Sequence, residues 1–159
     1  MQANWVPMVQ VALSFLTLLS LILGVYKLWK HYEWNKAHLT YELGKVWSEQ
    51  TLPWRNIIEK KFGSYLSTTT PATVDSCEEF VKAVEGDELH ELKMAVINLL
   101  NYFEDIAMLY LNDMLDKEMV DDTLKNAIMR YYDKLLPLKD CIDKHAGYKS
   151  WKLILEIIR

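Results

Sequence analysis

The first 26 residues carry no charged side chain, and that blank stretch limits what the chain can be more than any other feature. From Trp5 to Tyr26 it reads WVPMVQVALSFLTLLSLILGVY. As a helix rising ~1.5 Å per residue it covers about 33 Å, enough for a hydrocarbon core of ~30 Å. Trp5 marks one interface, and Tyr26, Trp29, Tyr32 and Trp34 crowd the other, where amphipathic rings settle at headgroup level. A cleaved signal peptide needs a basic leader, which MQANW lacks, and a small-x-small cleavage site, which VYKLW is not. A buried core helix is usually shorter and differently flanked. The stretch is predicted to be a retained transmembrane helix.

Lys27, Lys30 and Lys36 follow the span, and nothing charged precedes it except the amino terminus. The positive-inside rule then puts residues 27–159 in the cytoplasm, making a single-pass protein of the inner (cytoplasmic) membrane. The two cysteines, Cys77 and Cys141, suit that reducing compartment as free thiols. They are too few for a disulfide scaffold and lack C-x-x-C spacing.

Charge is segregated behind the anchor. Residues 27–74 hold seven Lys/Arg against four acids, residues 75–122 three against fourteen, and residues 123–159 eight against four. With a net charge of −4, general nucleic-acid binding is disfavoured and no DNA partner is expected. Six Trp and nine Tyr exclude a disordered chain, because so much aromatic surface must be buried.

The expected fold is all-α, a single N-terminal transmembrane helix followed by a small cytoplasmic helical bundle. No segment sustains period-2 alternation. We divide the chain into an anchor (1–26), a juxtamembrane helix (27–48) continuing to about Trp47 or Ser48, and a helical domain (49–159). Pro53 suits the first turn of a helix WRNIIEKKF that Gly63 stops. SYLSTTTPATVD looks like a loop, and Ser76 with Glu79 fits a capping box opening CEEFVKAVE. Asp87 begins the longest soluble helix, expected to reach about Met114, with Val96, Leu99, Leu100, Phe103, Ile106, Ala107, Tyr110 and Leu111 on its core face. Asp116 can cap the next helix, which Pro137 bends or ends. A further segment runs to His145, and Ser150 caps a terminal WKLILEIIR.

Catalytic signatures are missing. There is no Walker loop and no G-x-G-x-x-G. His90-Glu91 opens like H-E-x-x-H, but position 94 is Met, so no zinc-binding pair forms. His31, His38, His90 and His145 have no metal-ligand spacing, Cys77 lacks a placed base, and the neighbours Glu104 and Asp105 point in different directions. No enzyme, metal or cofactor is expected.

Within the span, Gln10, Ser14, Thr17, Ser20 and Gly24 fall within about 120° of the helix circumference. One reading is that the hydroxyls bond their own i−4 carbonyls and signify nothing more. Another is a self-association face in which Gln10 bonds across helices, and a third is a water-lined pore.

Leu100, Asn101, Tyr102, Phe103 and Glu104 match an L-N-[FY]-[FY]-E motif. With the surrounding stretch to Ile142 and a later W-K-L-I, the chain resembles a bacterial family catalogued only as a domain of unknown function, over roughly residues 39–157. Its members pair an N-terminal membrane helix with a short helical domain. Thr40, Trp47 and Arg55 sit where that family's Thr, Trp and Arg are expected. The architecture is also similar to small membrane effectors of type III CRISPR antiviral defence. That resemblance implies a tetrameric cytoplasmic domain that binds cyclic tetra-adenylate and disturbs the membrane.

Such a ligand needs cations for four phosphates and flat faces for adenines. Candidate ligand-binding residues are Trp54, Arg55, Lys60 and Lys61, together with Arg130 beside Tyr131 and Tyr132. Lys149 and Lys152 around Trp151 form a third set. Each set has a plain structural alternative: Trp54 and Tyr131 as core, Lys60 and Lys61 as a solvated face. Two functions remain: a membrane-anchored receptor-effector for an anionic nucleotide second messenger, or a membrane-tethered helical module that docks another protein. A homo-oligomer serves either, since the acidic middle and basic end let subunits pair.

Overall fold

The computed structural model describes residues 6–62, 87–139, 141, 143 and 151–158. Every regular element among them is helical. The chain divides into two compact units, Met1–Lys36 and Ala37–Arg159, and the division falls inside the juxtamembrane stretch.

Helix α1 runs Val6–Glu49. Pro7 sits in its first turn, where its missing N–H costs nothing. In the first unit the apolar side chains from Met8 to Val25 are exposed, and mean hydropathy reaches 2.2 with none of that window buried. An apolar, uncovered helix of this length is compatible with a membrane anchor. Tyr26, Trp29, Tyr32 and Trp34 are exposed as well. Ser14, Thr17 and Ser20 each donate a 2.9 Å hydrogen bond to the carbonyl four residues earlier, as the plainest reading of the polar face expects.

The second unit is built around α3, Asp87–Leu111. Its Leu92, Ala95, Val96, Leu99, Leu100, Phe103, Ile106 and Ala107 are buried with a spacing of three and four. They pack with Ile58 and Phe62 of α2 (Leu52–Phe62), and with the helices that follow. Leu39, Leu43, Val46 and Trp47, from the end of α1, lie partly buried against the same core. Although α3 is long and apolar enough to cross a membrane, 44 per cent of its window is buried, as suits a core helix.

Two expectations at the end of α3 are corrected. Leu111 is 46 per cent exposed rather than core, and the helix stops there instead of at Met114. Asp113 takes φ 56°, and the Met114 N–H bonds the Leu109 carbonyl while the Asp113 N–H bonds that of Tyr110. This pair of bonds is the Schellman closure, normally made with Gly at the left-handed position.

Helix α4, Lys117–Val120, opens on Asp116, whose side chain accepts the Met119 N–H as expected of an N-cap. A π-helical turn, Asp121–Lys125, leads into α5, Asn126–Leu135, and a 3-10 turn at Leu136–Leu138 contains Pro137. The core residues Val120, Leu124 and Ile128 are spaced by four, and an α-helix would rotate them progressively away from the core. A wider i→i+5 turn absorbs that drift. The last element, α6 (Trp151–Ile158), buries Ile154 and Ile157 and contacts α3 and α5.

Cys141 is buried and disulfide-bonded, which corrects its reading as a free thiol. Cys77, the SYLSTTTPATVD loop, the Ser76 cap, the CEEFVKAVE helix, His145, Lys149 and Ser150 lie outside the described residues.

Candidate functional site

The second unit turns on the α1–α2 corner. A helix leaves its last carbonyls without intrahelical partners. Here the Trp47 carbonyl accepts the Thr51 hydroxyl at 2.6 Å and an Arg55 guanidinium N–H at 3.0 Å. Thr51 is fully buried, and its own carbonyl accepts the Arg55 N–H that opens α2. The positive guanidinium therefore sits at the negative end of the α1 dipole. It also lies over the Trp47 ring, 4.3 Å from the centroid.

Trp47 is the hub of an aromatic cluster. Its ring centroid is 6.3 Å from Tyr102, 5.9 Å from Phe103 and 5.8 Å from Tyr131, the last edge-on at 78°. The Tyr102 hydroxyl donates to the Leu43 carbonyl at 2.7 Å. Burial pushes that phenol well above its ordinary value near 10, against the opposing pull of the Arg55 charge. One turn earlier on α1, the buried Thr40 hydroxyl accepts the Asp116 N–H at 2.9 Å. Tyr131 donates to Glu59, and Lys134 donates to the Phe62 carbonyl at the end of α2, 3.0 Å away. Burial lowers the Lys134 ammonium, and Glu59 partly restores it.

Beside this cluster lies an open cleft of about 390 Å³. Tyr41, Gly44, Lys45 and Ser48 of α1 form one wall, and Met119, Thr123 and Leu124 form the other. The π-helical turn supplies Thr123 and Leu124, so the irregularity that rescues core register also shapes the cleft. A Cβ added at Gly44 meets nothing within 4 Å. The lining mixes apolar side chains with one cation and one acid, Lys45 and Glu49.

The sequence-predicted ligand residues do not converge on this cleft. Trp54 packs partly buried against the core, Arg55 caps α1, and Tyr131 is fully buried. Lys60, Lys61 and Arg130 are exposed, as is Lys152. Arg130 and Tyr131 thus face opposite ways, one to solvent and one to the core. Among the described residues no group of three or more His, Cys, Asp or Glu could hold a metal ion. The cleft itself escaped sequence reasoning. Its signals were the four-residue spacing of Val120, Leu124 and Ile128, and a glycine inside a strongly helical run.

Residues 14–152 match the family model described as Domain of unknown function (DUF4760). The match takes in the second half of the apolar run as well as the helical domain. No curated protein and no solved structure matches the chain.

Proposed function

The chain belongs to the DUF4760 family, and from that premise we propose that it is a membrane-tethered docking module. The apolar half of α1 holds it in the bilayer, and the helical domain receives a protein partner at the cleft between α1 and the π-helical turn. One observation carries this reading. Helix α1 is wholly uncovered through its apolar part, yet contributes Leu39, Leu43, Val46 and Trp47 to a well-filled core. The cleft is lined by residues of that same helix, so whatever binds there is gathered at the membrane-bound element. Gly44→Trp tests it, because Gly44 lines the cleft and a Cβ added there meets nothing within 4 Å. A photo-crosslinker at Tyr41 should give a discrete protein adduct in cells that Gly44→Trp abolishes. No adduct, or one unaffected by the block, refutes the docking role.

The receptor-effector for an anionic nucleotide, cyclic tetra-adenylate being the best candidate, is the second reading. Exposed Lys60, Lys61 and Arg130 favour it, because around a symmetric oligomer such cations multiply about one ligand. Its antiviral, membrane-perturbing role rests on architectural resemblance. Titrating the full chain with a panel of nucleotide second messengers separates the two readings. Binding that Lys60→Ala/Lys61→Ala or Arg130→Ala weakens supports the receptor; no binding by any of the panel leaves the docking module.

A further inference from the structure

We propose that Lys27 and Lys30 form a headgroup clamp on α1 that selects anionic phospholipid from the surrounding bilayer. The proposal rests on the reading of α1 as a membrane anchor and adds a lipid preference to it. Lys27, Lys30, His31 and Trp34 follow steps of three, one and three, so they share about 100° of the helix circumference. All four are exposed. The cations on this helix are not equivalent. Lys36 is 3.7 Å from Glu33 and 4.6 Å from the Tyr32 ring centre, so its charge is already engaged. Among the described residues neither Lys27 nor Lys30 has a carboxylate partner.

Depth makes the same distinction. Measured from Tyr26 along a helix, Lys27 lies about 1.5 Å and Lys30 about 6 Å beyond the apolar run, whereas Lys36 lies about 15 Å beyond it. The headgroup layer of one leaflet is roughly 5–8 Å deep. Both partnerless ammonium groups therefore stand at phosphate level, and Lys36 stands outside it. On the same face His31 stacks on Trp34 with centroids 6.2 Å apart, presenting a flat amphipathic surface to the headgroups. A zwitterionic headgroup carries its own cation beside the phosphate, while an anionic one leaves the phosphate charge to the lysines. Charge complementarity thus favours the anionic lipid, by about fivefold per lysine.

The experiment uses the full chain in phosphatidylcholine vesicles containing a minor fraction of phosphatidylglycerol. Brominated acyl chains are placed on one lipid or the other, and quenching of tryptophan fluorescence reads their relative association. The wild type should prefer phosphatidylglycerol by up to about 25-fold, and high salt should reduce the preference. Lys27→Gln/Lys30→Gln should bring it to about parity, while Lys60→Gln/Lys61→Gln keeps it. Equal quenching of the wild type by both lipids, or an unchanged preference in Lys27→Gln/Lys30→Gln, overturns the clamp. If the chain resists carbonate extraction, the anchor stands without it; if carbonate releases the chain, anchor and clamp fall together.

Discussion

At the α1–α2 corner Arg55 is tied to Trp47 twice, by a hydrogen bond to its carbonyl and by stacking on its ring, so the two side chains act as a unit. Arg55→Ala removes a charged cap and a cation–π contact, and should cost the helical domain about 2–3 kcal/mol in urea unfolding. Arg55→Lys keeps the charge but loses the planar fork, and should recover less than half of that. In a double-mutant cycle with Trp47→Ala the losses should be sub-additive by roughly 1 kcal/mol or more; full additivity contradicts the pairing. The neighbouring Tyr102 makes a pH prediction. Its folded value is raised, so its contribution is fully present below about pH 10 and is lost as pH rises above that. Lys134 acts oppositely: its folded value is lowered, so stability rises with pH up to about 10.5. Tyr102→Phe should therefore remove an alkaline loss that begins near pH 10, leaving the gradual rise from Lys134. Identical pH profiles for the two proteins contradict the assignment. These residues also show where sequence reasoning stops. Tyr102 and Phe103 announced themselves through a motif, but the motif does not say that one phenol bonds Leu43 and the other ring meets Trp47. Arg55 and Tyr131 looked like ligand groups because a cation beside an aromatic has the same sequence signature whether it binds phosphate or caps a helix.

For individual elements, what was legible followed periodicity and punctuation. The extent of α1, the Pro53 start of α2, the Asp87 start of α3, the Asp116 cap and the turn at Pro137 are all local signals, and local signals fix them. The end of α3 was missed because Asp113 occupies a left-handed position that the sequence usually marks with Gly. That miss yields a prediction. Asp113→Gly should stabilise the domain by about 1 kcal/mol, since removing the Cβ strain at φ 56° outweighs the loss of an exposed 3.5 Å ion pair with Lys117. A destabilised Asp113→Gly protein in urea unfolding counts against the Schellman closure. Gly44 is the converse case, a helical glycine whose absent side chain faces open space. Gly44→Ala should raise stability by about 1 kcal/mol, as expected for an unconstrained helix interior. If it instead lowers the melting temperature, the space beside Gly44 is occupied in the folded protein.

Taken as a whole molecule, the chain poses a question of sidedness that no single element answers. By the positive-inside rule, Lys27, Lys30 and Lys36 after the apolar run lead to the expectation of a cytoplasmic helical domain, because basic flanks resist translocation. The bonded Cys141 belongs more naturally to an oxidising compartment. The two can be weighed by when each acts. Flanking charge decides topology as the chain inserts, before the domain folds, while a disulfide can form only afterwards and only where the surroundings permit. We therefore propose that the lysines set the topology. The expected outcome is that a reporter fused at Arg159 is active only on the cytoplasmic side. The bond at Cys141 must then withstand reducing surroundings, so alkylation of denatured protein should leave Cys141 unmodified until reductant is added. Once reduced, the buried Cys141 should react slowly in the folded domain and quickly when unfolded, which separates protection by packing from protection by a bond. Exchanging the three lysines for Gln and adding three Lys before Trp5 should invert the reporter. A periplasmic reporter signal from the wild type reverses the expected topology and places any partner of the cleft outside the cytoplasm.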